Sequence, residues 1–214
     1  MDKKINWGDK LKEMGILWQF DGDYTKPHAL WTSGMHGDTF NNGSKLVENP
    51  RLLSEIVSGI IVDLEPLIKK EKPDWIIGPA FGAITLGHEL ARQLGTKFAF
   101  TEPVQTPEGK MQVLKRFDIK KGDRVLVVED AISTGGSIVK TIAILEGLGA
   151  EVLPFVATIV NWSGNEYLGT KKIFSLYSGI PKKWEQDDCE LCKKGSIALR
   201  PKANWDKFTY KNNI

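Results

Sequence analysis

The sequence predicts an α/β protein built on a mostly parallel sheet. Three observations support this fold class: short all-apolar segments typical of buried strands, amphipathic helical segments that alternate with them, and a Ser/Thr/Gly-rich loop after the most apolar strand. The length of 214 residues predicts one domain, with room for a small appendage.

The first quarter of the chain predicts two helices separated by irregular structure. Apolar side chains at helical spacing indicate a helix over residues 7–19. Gly, Asn, Thr and aromatic residues over 21–45 indicate loops and short strands. Pro50 opens a second amphipathic helix, which Pro66 should end or kink.

The middle of the chain alternates strands with helices. Each predicted helix is followed by a glycine, Gly95 or Gly149, that would stop it. The predicted strands are 75–77, 97–101, 124–128 and 151–160, and the predicted helices are 83–94 and 136–148. Such a succession implies right-handed crossovers with helices on both faces of the sheet.

The polar segment from Glu102 to Asp118 is long for a connection in such a fold. A hairpin or a mobile lid would both account for its length. It carries three basic side chains, Lys110, Lys115 and Arg116, that are candidates for contact with an anionic ligand.

Composition excludes several classes of protein. The 29 basic and 27 acidic side chains give a net charge of +2, too balanced to predict nucleic-acid binding. No apolar stretch approaches the ~20 residues of a membrane span, and no secretory signal is visible. Two cysteines are too few for a disulfide framework, so we expect a reduced, cytoplasmic protein that does not bind membranes.

The most informative stretch is VLVVEDAISTGGS, residues 125–137. It places Glu129 and Asp130 at the carboxyl end of a buried strand and a hydroxyl- and glycine-rich loop before a helix. Backbone N–H groups at a helix N-terminus form an anion site, to which Ser133, Thr134 and Ser137 add donors. Carboxylates suit the donor hydroxyls of a ribose diol and a Mg²⁺ ion bound through phosphate and water. The alternative is a surface unit with an ordinarily capped helix.

Cys189 and Cys192 form a CxxC pair with the spacing of half a zinc site. Without a second pair or a histidine nearby in the sequence this is a weak metal signal, although two subunits could pool four thiolates. We therefore expect two free thiols and no metal held directly by side chains.

The stretch VVEDAISTGGS resembles the phosphoribosyl-diphosphate signature of type I phosphoribosyltransferases. The chain is most similar to the orotate phosphoribosyltransferases, over about residues 10–200. Residues 28–36 resemble that family's base-binding loop, 77–82 its diphosphate loop, 100–117 its flexible catalytic loop and 184–195 its cysteine-containing tail.

The resemblance implies a Rossmann-like core over about 50–165, with segments 1–49 and 166–214 forming a hood and tail, usually in a homodimer. It implies transfer of phosphoribose from phosphoribosyl diphosphate to a base, with Mg²⁺ as cofactor. The implied catalytic residues are Glu129, Asp130, Lys110, Lys115 and Arg116. The implied substrate-binding residues are Ala80, Phe81, Gly82, Ala83, Ala131, Ile132, Ser133, Thr134, Gly135, Gly136, Ser137, His36 and Trp162.

Three positions depart from the family pattern. Trp162 stands where an arginine of the family helps to hold the orotate carboxylate, and an indole cannot form that bidentate pair. Gly82 replaces a frequent lysine, and Pro103 replaces a frequent basic residue. These departures leave three hypotheses: an orotate phosphoribosyltransferase without that arginine, a paralogue that uses another base, and a non-catalytic regulator that senses nucleotides.

Overall fold

The computed structural model describes residues 5–107 and 109–209, and these fall into two compact units. One unit is drawn from Met1–Glu48 and Ile180–Ile214, and the other from Asn49–Gly179. Within the described residues, no helix combines the length and the apolar character needed to cross a membrane.

The helices and strands follow in chain order. The strands are β1 (Leu17–Gln19), β2 (His28–Leu30), β3 (His36–Gly37), β4 (Thr39–Asn41), β5 (Trp75–Pro79), β6 (Lys97–Thr106), β7 (Gly109–Val113), β8 (Arg124–Ile132), β9 (Glu151–Asn161), β10 (Tyr167–Leu168), β11 (Lys171–Ser178), β12 (Lys183–Trp184) and β13 (Ala198–Leu199). The α-helices are α1 (Trp7–Glu13), α2 (Ser44–Val47), α3 (Pro50–Ile68), α4 (Ala83–Leu94), α5 (Gly136–Gly147), α6 (Glu190–Lys193) and α7 (Trp205–Phe208), and Pro201–Ala203 form a 3-10 turn.

The larger unit is built on a seven-stranded sheet of order β10-β11-β9-β8-β5-β6-β7. The five inner strands run parallel, and β10 and β7 are antiparallel at the edges. Ile77, Val127 and Val156 on adjacent strands are fully buried, as expected for strands covered on both faces. The predicted α/β fold with a mostly parallel sheet is confirmed.

The parallel order brings the carboxyl ends of β5, β8 and β9 to the same edge of the sheet. In open α/β sheets this edge is where ligands bind. The loops that follow β5 and β8 enter α4 and α5 at this edge, so both helix N-termini face the same region.

Two predicted helix boundaries are corrected. The first helix stops at Glu13, because Gly15 adopts a left-handed conformation (φ 69°), and the residues after it form β1 against β4. The helix from Pro50 continues past Pro66 to Ile68, so Pro66 does not end it.

The segment from Glu102 to Asp118 forms a hairpin over most of its length. Strand β6 runs on to Thr106 and pairs with β7 from Glu102↔Val113 to Thr106↔Gly109. The hairpin that the sequence allowed is therefore observed, and its movement as a lid stays a prediction.

Residues 167–178 belong to the sheet of the larger unit rather than to a tail. Strand β11 pairs parallel to β9, with Lys172 opposite Phe155, and β10 folds back on β11. The larger unit therefore extends to Gly179, beyond the boundary near 165 that the sequence suggested.

The smaller unit contains a four-stranded sheet of order β12-β3-β2-β13 and a two-stranded sheet of β1 and β4. Strands β2 and β3 form a tight antiparallel hairpin, with Leu30 opposite His36. Strand β12 pairs with β3 and β13 with β2, so the two N-terminal strands lie between two strands from the C-terminal segment.

Candidate functional site

Two adjacent carboxylic acids, Glu129 and Asp130, lie near the carboxyl end of β8. Glu129 is opposite Thr158 of β9, and the Thr158 hydroxyl donates a hydrogen bond to the carbonyl oxygen of Asp130 (3.2 Å). The neighbouring strand thus fixes the backbone that carries the acid pair. Sequence reasoning missed Thr158, whose signal was a lone hydroxyl in an otherwise apolar strand.

The diphosphate-loop candidate closely approaches this acid pair. A Cβ atom placed on Gly82 would lie 2.6 Å from Oδ1 of Asp130, closer than real Cβ contacts allow. The φ angle of Gly82 is ordinary (−58°), so the Asp130 carboxylate and not the backbone conformation limits a side chain at this position. The structure therefore brings together the predicted residues Gly82 and Asp130, which are far apart in sequence.

The loop over residues 80–83 is held by a hydrogen bond to the neighbouring strand β6. The Ala80 N–H donates to the carbonyl oxygen of Thr101 on β6 (2.7 Å), and the Ala80–Phe81 peptide bond is cis. Ala83 is fully buried at the start of α4, whereas the Phe81 side chain is 82% exposed. The backbone of this loop consequently lies at the sheet edge beside Asp130.

The loop after β8 surrounds a solvent-open pocket. Gly135 takes a left-handed conformation (φ 73°) just before α5, and a Cβ there would lie 2.4 Å from Leu168 of β10. The pocket is lined by Glu129, Ala131, Ile132, Ser133, Thr134, Gly135, Gly136, Ser137 and Ile138. A helix N-terminus with three hydroxyl side chains is suited to an anion, and the predicted residues 131–137 all line it.

The two acids differ in their electrostatic environment. Burial, and then the neighbouring Asp130 carboxylate, raise the pKa of Glu129 to about 9. The Asp130 N–H donates to Oε1 of Glu129 (3.3 Å), which opposes the shift only weakly. Glu129 is therefore protonated at neutral pH when no ligand is bound.

Trp162 directly follows β9, beside the phosphate-loop candidate. Its backbone N–H donates to the carbonyl oxygen of Ile132 (2.7 Å). Its half-buried indole packs edge-on against Tyr177, with ring centroids 5.5 Å apart. The Asn161 side chain accepts from the N–H and hydroxyl of Ser163 and shapes this turn. Trp162 thus lies at the same sheet edge as the acid pair.

The predicted basic residues of the hairpin segment differ in what surrounds them. Lys115 and Arg116 are exposed, and Nε of Arg116 lies 3.1 Å from Oε1 of Glu102. An exposed ion pair of this kind contributes little to the free energy of folding. Arg116 can therefore leave Glu102 and bind a phosphate with only a small loss of free energy. The backbone of Lys110 lies in β7, and its side chain falls outside the described residues.

His36 occupies a different environment from the one predicted. It is 4% exposed, and its Nδ1 lies 3.1 Å from Nε2 of His28 and 3.4 Å from Sγ of Cys192. A ring enclosed in this way offers little surface for orienting a base, so burial argues against that predicted role. Sequence reasoning missed His28 as a neighbour of the CxxC pair, although two of only three histidines lie in the same short segment.

Neutralising Glu129 should remove a pH-dependent cost to folding. The folded-state pKa, about 9, exceeds the ordinary 4.5, so the contribution of Glu129 to stability is complete below about pH 4.5 and is lost as pH rises towards 9. In urea unfolding, the free energy of unfolding of Glu129→Gln should rise by about 1–3 kcal/mol relative to that of the wild type between pH ~5 and pH ~8.5. Glu151→Gln, at an exposed glutamate, is the control and should gain less. A constant gap between wild type and Glu129→Gln would contradict the assignment.

Comparison with known proteins identifies the family. The phosphoribosyl transferase domain model matches residues 45–186. An orotate phosphoribosyltransferase from Thermoanaerobacter sp. (strain X514) is 38% identical over 84% of this chain and 90% of its own length.

Solved structures share the fold. An orotate phosphoribosyltransferase from Aeropyrum pernix superposes with a TM-score of 0.61 over 79% of this chain and 92% of its own, at 20% identity. The adenine phosphoribosyltransferase from Saccharomyces cerevisiae gives a TM-score of 0.59 over 79% and 98%, at 22% identity. Because enzymes named for orotate and for adenine share this fold, the fold alone does not identify the base. On the extent and identity of the sequence matches, this chain belongs to the phosphoribosyltransferase family, among the orotate phosphoribosyltransferases.

Proposed function

We propose that the chain transfers the 5-phosphoribosyl group from phosphoribosyl diphosphate to orotate, giving orotidine 5'-monophosphate and diphosphate. The observation that carries the proposal is the Asp130 carboxylate lying against Gly82, next in sequence to Glu129, which lines the pocket at the N-terminus of α5. This juxtaposition offers places for the three polar parts of phosphoribosyl diphosphate within one site. The names of the relatives, orotate phosphoribosyltransferase, support orotate as the base and do not favour a paralogue or a regulator.

Each part of the substrate has a place of matching chemistry. The 5'-phosphate accepts from backbone N–H groups and hydroxyls of residues 133–137. The ribose diol donates to the carboxylates of Glu129 and Asp130. The diphosphate lies along the backbone of residues 80–83, where Gly82 leaves room beside Asp130.

The acid pair also fits a magnesium ion. Carboxylate oxygens are the hard ligands that Mg²⁺ prefers, and the ion usually keeps several waters and substrate phosphate oxygens. Glu129 and Asp130 would hold it, directly or through water, and its charge would favour the ionised form of Glu129. When bound, the ion supplies positive charge that stabilises the departing diphosphate.

The reaction exchanges one bond at ribose C1. The C1–O bond to diphosphate breaks with its electron pair on oxygen, and C1 becomes oxocarbenium-like. A ring nitrogen of orotate attacks the opposite face, and its N–H proton passes to solvent or to the departing diphosphate. Asp130 and Glu129 hold the diol while this happens. Closure of the hairpin, with Lys110, Lys115 and Arg116 towards the diphosphate, would exclude water that otherwise hydrolyses the activated sugar.

We further propose that the enzyme is cytoplasmic and works as a homodimer.

Activity with orotate and the double change Glu129→Gln/Asp130→Asn test the proposal. The wild type should release diphosphate only when orotate, phosphoribosyl diphosphate and Mg²⁺ are all present. Removing both charged acceptors should weaken binding of phosphoribosyl diphosphate by ~10²-fold or more, since hydrogen bonds to charged groups are worth ~1.5–3 kcal/mol. Titration calorimetry measures the change, and equal affinity in the double variant would refute the assignment of the acids.

The space at Gly82 predicts a second effect. Gly82→Ala should displace the Asp130 carboxylate and weaken phosphoribosyl diphosphate binding by ~10-fold, as loss of one charged hydrogen bond would. Gly147→Ala is the matched control, because a Cβ at that helical position meets nothing within 4 Å. If both alanine variants bind phosphoribosyl diphosphate as the wild type does, the close approach has no role in the site.

Trp162 predicts how the orotate carboxylate is held. A bidentate guanidinium–carboxylate pair is strong, so Trp162→Arg should lower the KM for orotate by ~10-fold or more if the side chain faces the base. Trp162→Phe keeps an aromatic ring without the charge and should show no such gain. Steady-state rates with orotate and with other bases separate the cases. Turnover of another base by the wild type, with none of orotate by either protein, would contradict orotate as the substrate.

A further inference from the structure

The smaller unit contains a cluster of four side chains that the proposed reaction does not use. His28, His36, Cys189 and Cys192 place one ligand atom each within 4.8 Å of one another. Three of these side chains are buried and Cys192 is half-buried. Both cysteines are free of a disulfide.

Four of the six distances between these atoms match those of a tetrahedral zinc site. Zn–S bonds of about 2.3 Å and Zn–N bonds of about 2.0–2.1 Å at tetrahedral angles put two nitrogens about 3.3 Å apart and nitrogen and sulfur about 3.5 Å apart. His28 Nε2 lies 3.1 Å from His36 Nδ1 and 3.4 and 3.6 Å from Sγ of Cys189 and Cys192, and the distance from Cys192 Sγ to His36 Nδ1 is 3.4 Å.

The hydrogen bonds around His28 turn its lone pair towards the cluster. The Ser196 hydroxyl donates to the carbonyl oxygen of Lys26 (2.7 Å), which can only accept. The hydroxyl must then accept from Nδ1–H of His28 (2.8 Å), since it has a single proton. Nε2 of His28 is therefore the nitrogen without a proton when the ring is neutral, and a neighbour that fixes the tautomer in this way is typical of metal-binding histidines.

The two histidines lie on the paired strands β2 and β3, and the two cysteines lie at α6. The β2–β3 hairpin is closed by Trp31, whose ring covers Gly37 and whose indole N–H donates to the Thr39 carbonyl oxygen (2.9 Å). The CxxC pair lies at the start of α6, between β12 and β13, which pair with β3 and β2. The ligands thus converge from segments more than 150 residues apart in sequence.

We propose that His28, His36, Cys189 and Cys192 bind a structural zinc ion that joins the N- and C-terminal segments of the smaller unit. Two thiolates and two imidazoles are a soft set that favours Zn²⁺ over Mg²⁺, and four protein ligands leave no open position for a catalytic water. Binding displaces one proton from each thiol. The strands of this unit's four-stranded sheet are only two or three residues long, so a metal is the kind of cross-link that a small unit needs.

The experiment is metal analysis of the full chain, purified with a thiol reductant and without chelator. Mass spectrometry of the wild type should find about one zinc per chain, and cobalt exchanged into the site should give the visible absorption of tetrahedral thiolate coordination. Cys189→Ser and His36→Gln should lose the metal, whereas His88→Gln, at the exposed third histidine, should keep it. Stripping zinc from the wild type should lower Tm by at least about 5 °C, restored by Zn²⁺ and not by Mg²⁺.

The wild type decides the outcome even if the ligand variants do not fold. A folded chain that contains no zinc and gives no cobalt spectrum would overturn the proposal, as would a Cys189–Cys192 disulfide in the reduced preparation. Loss of metal from His88→Gln equal to that from His36→Gln would do so as well. None of these results depends on orotate turnover, so the site and the proposed reaction are tested separately.

Discussion

The close approach between the Asp130 carboxylate and the backbone of Gly82 connects the end of β8 with the loop that follows β5. It exists because β8 lies beside β5 in a parallel sheet, so the loop that leaves each strand crosses the same edge. Thr158 on the other neighbouring strand holds the Asp130 backbone from the opposite side. The site geometry therefore follows from strand order. Gly82, which lacks a side chain, leaves the space that the Asp130 carboxylate occupies.

The position of Glu129 shows how such a site trades stability for binding. A carboxyl group buried next to another carboxylate holds its proton, as its pKa of about 9 indicates. A ligand that brings hydroxyl donors and a divalent cation would make the ionised form favourable. Binding would then relieve an electrostatic cost that the ligand-free protein carries, which concentrates affinity on a ligand with both features.

The sequence predicted the fold class and the acid-pair loop because both depend on local pattern. Apolar runs, stop glycines and the VVEDAISTGGS stretch are short-range signals, and their positions agree with β5, β8, α4 and α5. Three features depended on long-range pairing and were not predictable: the pairing of β1 with β4 directly after the first helix, the extension of the sheet by β11, and the neighbours of the CxxC pair. His36 was assigned to the base because its sequence neighbours resemble a base-binding loop. Only the strand pairing shows what its ring contacts.

The two units divide structural demands in different ways. The larger unit buries apolar side chains on both faces of a seven-stranded sheet. The free energy gained by this burial offsets the electrostatic cost of the adjacent carboxyl groups of Glu129 and Asp130 at one edge. The smaller unit is assembled from the two ends of the sequence and buries fewer side chains in strands of two or three residues. Closing a chain segment more than 150 residues long costs entropy that short strands offset poorly. Four ligands drawn equally from both ends place a cross-link where this cost arises, which is a physical reason for these cysteines and histidines to lie together.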